Sequence, residues 1–570
     1  MAPPGPPPRR AKDLAETVSA GDAALELVLA RWRRYSRALR GVPWPVRAAL
    51  VALALAAVKR AAGATLGLVL GALRWLWGRV VTRGGALRRA SRRAAAASTR
   101  ALAGWRPPDG SREGLAIECR AALALGPLEP VVVERVTGDT PGPGEVRVKM
   151  AVCAVGHADA CAVDAALAEP ADARGPTAFP CVLGVEGAGV VESVGPGVRS
   201  VSPGDAVVVC FQACCYACAL CKHRGTNLCA FRPRRGRPSA SPPGRASSGE
   251  PSKRAEDGTA EREREQERER AQEPDAAACR PAVLYMGRAV SRLGGCGTLS
   301  EYALLDQEHV ARLDAEVPLE QAALLGGCVG CGVGAAINSA SRRADPARGG
   351  GRTADDDDDE EAAEERDEAA GLVVAVLGLG PVGLAAVMAL AGPRVGALRI
   401  VAVDTCPARL EAALSAGATD VLRAPLPAEE RGAGALAADL RALVGGGGLD
   451  LALECAGDAA MAREALAACH AGWGELVLVG DSGDAPAAAQ AQQHLWLRPG
   501  QDLVDGGRKV RGLRFGGLRG RRDLPLLLRM ARRGEIDLEP FVTATTRLDN
   551  VNDALDLLRK GRGMRTVLTF

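Results

Sequence analysis

Apolar and polar residues follow two different patterns in two parts of the chain. Residues 115–212 contain short Val-rich runs separated by Gly and Pro, a pattern typical of a β-rich domain. Residues 371–512 alternate short apolar runs with Ala-rich helical stretches, which predicts parallel strands joined by helices. Residues 513–570 end in an amphipathic helical run and a final strand. We therefore predict an α/β protein with a β-rich domain and a doubly wound parallel sheet.

Three stretches lack these patterns. Residues 1–114 are a basic extension, which contains many Arg but no Asp or Glu between positions 27 and 108. This composition resembles an organelle transit peptide, so we expect a plastid or mitochondrial location, and a cytoplasmic one otherwise. A membrane-associated helix and an unstructured tail stay open as alternatives. Residues 233–280 and the acidic residues 341–370 are predicted to be disordered insertions.

Overall charge and cysteine content limit the kinds of partner and compartment. The net charge of +4 argues neither for nor against nucleic-acid binding, and we expect no nucleic-acid partner. The chain has 17 cysteines in 570 residues, too sparse for a disulfide scaffold. They fit a reducing compartment that holds metal-bound and free thiols.

Four closely spaced cysteines predict a metal site. Their spacing is C-x2-C-x2-C-x7-C, formed by Cys215, Cys218, Cys221 and Cys229. Four thiolates close a tetrahedral shell around one Zn²⁺ and leave no position open for a substrate. An iron–sulfur cluster and two disulfides are the alternatives. We predict one structural zinc ion, held in a lobe at 215–229.

A Gly-rich turn predicts dinucleotide binding. Gly378, Gly380 and Gly383 form G-x-G-x-x-G after an apolar strand and before a helix. Asp404 ends the next strand, where a carboxylate would bond the ribose 2′-hydroxyl and repel a 2′-phosphate. We therefore predict NAD as the cofactor. A Rossmann-like domain that binds no nucleotide is the alternative.

With these motifs in order, the chain resembles the zinc-containing medium-chain alcohol dehydrogenases. It is most similar to class III, the S-(hydroxymethyl)glutathione dehydrogenases, in runs such as "GVEGAGVVESVGPGV", "TNLC", "LECAG", "FGGLRG" and "GMRTVLTF". The resemblance covers roughly residues 115–232, 281–340 and 371–570.

The resemblance also implies an architecture and partners. A GroES-like domain would occupy 115–330 and a Rossmann domain 371–512, with residues 513–570 returning to the first domain. It further implies a small-molecule substrate, NAD and a homodimer.

The catalytic zinc of this family is held by Cys, His and Cys, and this sequence departs at all three positions. The matching residues are Gly156, Val185 and Gly327, whose side chains cannot bind a metal. The hydroxyl that first carries the substrate's proton is replaced by Ala158, and Cys161 occupies the next relay position. A displaced metal site built on Cys328 and Glu186 is the alternative to ordinary buried thiols.

Other residues keep their match, and the resemblance assigns their roles. Glu186 matches the glutamate behind the zinc, and Asp159 matches the carboxylate that orients the zinc-binding histidine. His157 and Arg565 match residues at the cofactor pyrophosphate, and Arg409 matches one near the adenosine ribose.

The anion-binding arginine of class III has no direct counterpart. Its position is Pro233, between Arg232 and Arg234, so glutathione recognition is in doubt.

Three functions fit this sequence. The first is an NAD-linked class III alcohol dehydrogenase, impaired or altered by loss of the catalytic zinc. The second is a zinc-independent NAD-linked reductase of carbonyls or alkenes. The third is a catalytically silent NAD-binding relative that acts through partners.

Overall fold

The computed structural model describes seven stretches of the chain, which are residues 115–164, 179–230, 283–313, 317–344, 371–424, 434–480 and 494–570. The predicted targeting or membrane-associated extension at 1–114 and the predicted insertion at 233–280 lie outside them. Of the predicted acidic insertion at 341–370, residues 345–370 also lie outside the described stretches, whereas residues 341–344 continue a helix that ends at Ala344. Within the described stretches, no helix has the length and apolarity needed to cross a membrane.

Short strands dominate the first half of the described chain, as the Val-rich runs predict. The strands are β1 (Ile117–Ala124), β2 (Val132–Gly138), β3 (Glu145–Val155), β4 (Cys181–Val182), β5 (Glu186–Val194), β6 (Ala206–Val209), β7 (Val283–Tyr285), β8 (Arg288–Ala289), β9 (Ser291–Arg292), β10 (Tyr302–Asp306) and β11 (Val310–Arg312). The helices are α1 (His157–Asp164), α2 (Ala219–Lys222), α3 (Leu319–Ala322) and α4 (Cys328–Ala344).

Strands and helices alternate after residue 371. The strands are β12 (Val373–Leu377), β13 (Arg399–Asp404), β14 (Asp420–Arg423), β15 (Leu451–Glu454), β16 (Glu475–Leu478) and β17 (Lys509–Gly512). The helices are α5 (Pro381–Ala391), α6 (Pro407–Ser415), α7 (Ala435–Leu443) and α8 (Ala459–Ala468). The C-terminal elements are α9 (Leu524–Arg533), β18 (Val542–Arg547), α10 (Val551–Arg559) and β19 (Arg565–Thr569).

The six strands of the second half form one parallel sheet. Their order is β14-β13-β12-β15-β16-β17, and every pairing is parallel. Chain order reverses between β12 and β15, so the carboxyl ends of these two strands border the crevice where such sheets bind ligands. Val374, Val376 and Leu377 are fully buried, as expected for strands covered by helices on both faces. The prediction of a doubly wound parallel sheet is confirmed.

The last strand of the chain pairs with the first domain. In the second sheet of that domain, β19 lies antiparallel to β3, with Thr566 opposite Val155. On the other side, β3 pairs with β5 and places Ala154 opposite Glu186. The end of β3, the start of β5 and the start of β19 therefore meet at one place.

Helix α4 joins the two halves through close backbone packing. A Cβ at Gly332 would lie 2.0 Å from the carbonyl oxygen of Val382 in α5, so only a glycine fits there. One apolar cluster contains Ala154 of β3, Val329 of α4 and Leu384 of α5. This shared core fixes the start of α4 against the ends of β3 and β5.

Candidate active site and zinc lobe

The four cysteines predicted to bind zinc come together in space. Their sulfur atoms all lie within 4.8 Å of one another, and the individual Sγ–Sγ distances include 3.6 Å for Cys215–Cys229 and 4.0 Å for Cys218–Cys229. A tetrahedral shell with Zn–S bonds of about 2.3 Å places its sulfurs about 3.8 Å apart. The alternative of two disulfides is wrong, because all four thiols are free.

Backbone N–H groups point at these sulfurs. The amide of Cys218 donates to Cys215 Sγ at 3.4 Å, and the amides of Cys221 and Ala230 donate to Cys218 Sγ at 3.4 and 3.5 Å. Hydrogen bonds from Ala230 first and then Cys221 lower the pKa of the Cys218 thiol to about 6. Cys218 therefore favours the thiolate form, which is the form that binds zinc, whereas burial raises the pKa of the Cys221 thiol.

The three glycines of the nucleotide-binding turn are required for different structural reasons. Gly378 has φ +85°, and a Cβ there would lie 2.7 Å from the backbone nitrogen of Ala456. A Cβ at Gly383 would lie 1.8 Å from the carbonyl oxygen of Gly378, so this glycine lets α5 approach β12. A Cβ at Gly380 meets no atom within 4 Å. Gly380 thus leaves open the space that a pyrophosphate needs at the start of α5.

The carboxylate of Asp404 is fixed at the end of β13. Its two oxygens accept the backbone N–H groups of Leu379 at 2.7 Å and Cys406 at 2.8 Å. The Nη1 atom of Arg409 lies 3.7 Å from Asp404 Oδ2. Each carboxylate oxygen keeps a second lone pair, so both bonds are compatible with the predicted contact to a ribose hydroxyl.

Glu186 fills the space that a ligand side chain at position 327 would need. A Cβ added to Gly327 would lie 2.1 Å from Glu186 Oε1 and 2.3 Å from its Cγ. The same Oε1 accepts the backbone N–H of Cys328 at 2.8 Å. Glycine at 327 and the position of the Glu186 side chain therefore depend on each other.

Arg565 completes a buried ion pair with Glu186. The Arg565 Nε lies 3.4 Å from Glu186 Oε2, and the two side chains are 8% and 5% exposed. A Cβ at Gly156 would be in ordinary contact with the Arg565 guanidinium, 3.6 Å from Nη2 and 3.8 Å from Cζ. The ion pair thus lies between Gly156 and Gly327, two of the three positions where the family carries metal ligands.

Asp159 binds backbone rather than a side chain at position 185. Its oxygens accept the N–H groups of Gly156 at 2.9 Å and Gly184 at 2.7 Å, and the residue is fully buried. Burial raises its pKa to about 6, against the opposing effect of these two bonds. Val185 has no ring nitrogen that Asp159 could orient. The Asp159 carboxylate instead connects the start of α1 to Gly184 through these two hydrogen bonds.

Two thiols near the ion pair are buried. Cys153 Sγ lies 2.8 Å from the carbonyl oxygen of Glu186, and burial raises its pKa well above the usual value. Burial likewise raises the pKa of Cys328 to about 12.

Among the described residues, the cysteine quartet is the only group of three or more potential ligands close enough to hold a metal. The displaced site on Cys328 and Glu186 therefore finds no third ligand in that part of the chain.

Two features of the site were not predicted from the sequence. His157 Nε2 lies 2.8 Å from Cys161 Sγ, a contact across one helical turn that the i, i+4 spacing signals. Glu454 accepts the N–H groups of Ala456 and Gly457 at 2.8 and 2.9 Å, and burial raises its pKa to about 7. An acidic residue that ends a buried strand at the crevice is the signal for Glu454.

Known proteins share both halves of this arrangement. The model of the alcohol dehydrogenase GroES-like domain matches residues 142–249, and the model of the zinc-binding dehydrogenases matches residues 381–533. S-(hydroxymethyl)glutathione dehydrogenase from Haemophilus influenzae is 33% identical over 455 residues, which cover 80% of this chain and 98% of that protein. The Escherichia coli protein of the same name is also 33% identical, over 80% of this chain and its own full length. The chain belongs to the zinc-containing medium-chain alcohol dehydrogenase family.

Solved structures share this fold. A zinc-binding-domain alcohol dehydrogenase protein from Burkholderia ambifaria is 25% identical, with a TM-score of 0.60 over 80% of this chain and all of that one. Benzyl alcohol dehydrogenase from Acinetobacter calcoaceticus shares the fold with a TM-score of 0.58 at 22% identity, over 80% of this chain and 99% of that one. The predicted GroES-like and Rossmann architecture and the class III-like resemblance are confirmed for this alcohol dehydrogenase-family chain.

The space around Glu186 can be tested with two single-methyl changes. Gly327→Ala should lower the free energy of unfolding by about 1–3 kcal/mol, because the new methyl displaces the Glu186 carboxylate. Gly156→Ala is the matched control, since its methyl makes only ordinary contacts, and its effect should stay within about 0.5 kcal/mol. Thermal unfolding of both variants measures this difference. Equal unfolding midpoints would show that Glu186 does not occupy the space at position 327.

A second pair of glycine variants separates cofactor binding from folding. Gly380→Ala should keep the unfolding midpoint and weaken NAD binding at least tenfold, because its methyl enters the space left for the pyrophosphate. Gly383→Ala should instead lower the midpoint, because its methyl overlaps the Gly378 carbonyl. Calorimetric titration with NAD and thermal unfolding provide the two measurements. Unchanged NAD affinity in Gly380→Ala would contradict the assigned nucleotide turn.

Proposed function

We propose that this chain is an NAD-linked oxidoreductase that transfers hydride without a catalytic zinc. Its substrates would be small carbonyl compounds or alkenes that are already electrophilic. The observation that supports this most directly is that Gly156, Val185 and Gly327 offer no donor atom, while the Glu186 carboxylate lies where a side chain at position 327 would begin.

The residues present do not fit a catalytic zinc. A catalytic zinc site needs three protein ligands and an open fourth position. Gly156, Val185 and Gly327 offer no donor atom, and a larger residue at 327 would first have to displace Glu186. Position 156 is less constrained, because a side chain there would meet only the Arg565 guanidinium.

Loss of the metal affects alcohol oxidation more than reduction of an activated substrate. A metal lowers the pKa of a bound alcohol and polarises a carbonyl. An alcohol that is not bound to a metal keeps its proton at neutral pH, and Ala158 supplies no hydroxyl that could accept that proton. A quinone, or an alkene conjugated to a carbonyl, already draws electron density from the carbon that accepts the hydride. In that direction NADH gives the hydride, water gives the proton, and the products are NAD⁺ and the reduced substrate.

This proposal retains NAD as the cofactor and zinc as the structural metal. NAD would lie across the turn of Gly378 and Gly380, with Asp404 and Arg409 near the adenosine ribose and His157 near the pyrophosphate. Arg565, assigned to the pyrophosphate by resemblance, would share its guanidinium with Glu186. Zinc bound by the cysteine quartet would hold the lobe together and take no part in the reaction. Assembly as a homodimer belongs to the same proposal.

A catalytically silent NAD-binding protein is the second candidate. Ala158 favours it, because both the metal and the first proton carrier of the family's reaction are then missing. The class III activity named for the curated relatives, oxidation of S-(hydroxymethyl)glutathione, would need both.

Turnover assays distinguish these candidates. We expect NADH oxidation with a quinone or an α,β-unsaturated ketone, unchanged when a chelator is added to the assay. Oxidation of S-(hydroxymethyl)glutathione with NAD should be at least about 1,000-fold slower than this NADH-dependent reduction. The oxidation depends on a metal ion that lowers the pKa of the alcohol, and the residues present do not bind one. Gly380→Ala is the control for dependence on bound cofactor.

Rapid, chelator-sensitive oxidation of S-(hydroxymethyl)glutathione would contradict the proposal. NAD binding without turnover of any quinone, unsaturated ketone or aldehyde would favour the silent protein instead.

A further inference from the structure

A basic cavity lies away from the ion pair, between the zinc lobe and the segment that follows β17. Its volume is about 360 Å³, and Arg224, Arg511, Arg514 and Arg519 lie in its wall. Asn338 of α4 and the backbone of the zinc lobe form other parts of the wall, and none of its described lining residues is acidic. Arg511 is paired with Glu475, and the other three arginines give this concave space a positive potential that attracts an anion.

Arg519 supplies a fixed positive charge. Its Nη1 donates to the carbonyl oxygen of Cys221 at 2.8 Å, and its Nη2 donates to those of His223 and Thr226 at 2.8 and 3.0 Å. No carboxylate of the described residues forms an ion pair with this guanidinium. The arginine therefore holds the zinc lobe in place, while its charge stays uncompensated beside the cavity.

Arg511 is held in the cavity wall by two hydrogen bonds. Its Nε donates to Glu475 Oε1 at 2.7 Å, and its Nη2 donates to Ser339 Oγ at 3.2 Å. Its Nη1 is buried and has no hydrogen-bond partner among the described residues. Arg511 therefore forms a fixed part of the cavity wall, and its charge is shared with Glu475.

Two further arginines are exposed at the rim of the cavity. Arg224 is exposed on the zinc lobe, and Arg514 is exposed on the opposite segment, 5.8 Å from the centre of the Phe211 ring. The rim thus presents one exposed guanidinium from each side, a geometry suited to bidentate contacts with phosphate or carboxylate oxygens.

We propose that this cavity binds a small molecule through a phosphate or carboxylate group. The volume lies at the lower end of pockets that hold small molecules and exceeds the needs of a bare anion, so the ligand should carry further atoms. These residues differ from the nucleotide turn and from the ion pair, and the inference is independent of the proposed hydride chemistry.

The probe for this site is inorganic phosphate, titrated calorimetrically into the full chain at constant ionic strength with NAD present. Saturating NAD occupies the nucleotide turn, which also attracts phosphate. The double variant Arg224→Gln, Arg514→Gln should bind phosphate at least tenfold more weakly. Arg288→Gln, which removes an exposed arginine from outside the cavity, should bind as the unchanged protein does.

A parallel titration with glutarate identifies the preferred anion. Tighter binding of phosphate assigns a phosphorylated ligand, and tighter binding of glutarate assigns a carboxylate. The proposal is overturned if neither anion binds more tightly than chloride, or if the double variant keeps the full affinity for both. NAD affinity should be equal in all three proteins, so a failure of cofactor binding would be seen separately.

Discussion

The ion pair between Glu186 and Arg565 is the constraint on which the rest of the candidate site depends. Both side chains are almost completely buried, so each charge needs the other, and removal of one partner would leave an unpaired charge in the core. The pair exists because β19 lies beside β3 and β3 lies beside β5. The C-terminal strand is therefore part of the site as well as of the fold.

The neighbours of this pair are adapted to it. Gly327 has no Cβ where the Glu186 carboxylate lies, and Gly156 leaves ordinary contact distance to the guanidinium. The backbone N–H of Cys328 donates to the Glu186 carboxylate and so helps to stabilise its negative charge. Gly156 and Gly327, two of the three positions that lack the family's metal ligands, thus border one compact charged unit. The zinc lobe differs from this site, because all four of its thiols and the N–H groups that donate to them are present.

Local spacing made much of the molecule predictable. The cysteine quartet and the glycine turn are short motifs, and their geometry follows from a few consecutive residues. Alternating strands and helices gave the parallel sheet for the same reason. The Glu186–Arg565 contact was not predictable in this way, because 379 residues separate its partners. The partners of Asp159 were also not predictable in this way. The resemblance assigned it an imidazole partner, whereas its carboxylate accepts the N–H groups of Gly156 and Gly184.

The number of zinc ions bound per chain tests the central claim most directly. Purified protein, dialysed against metal-free buffer, would be analysed by elemental mass spectrometry and by quantitative amino-acid analysis. One zinc per chain, lost on substitution of Cys218 by serine, is the result expected if the quartet binds metal and the ion pair fills the second site. Two zinc ions per chain, with one retained in Cys218→Ser, would contradict the account.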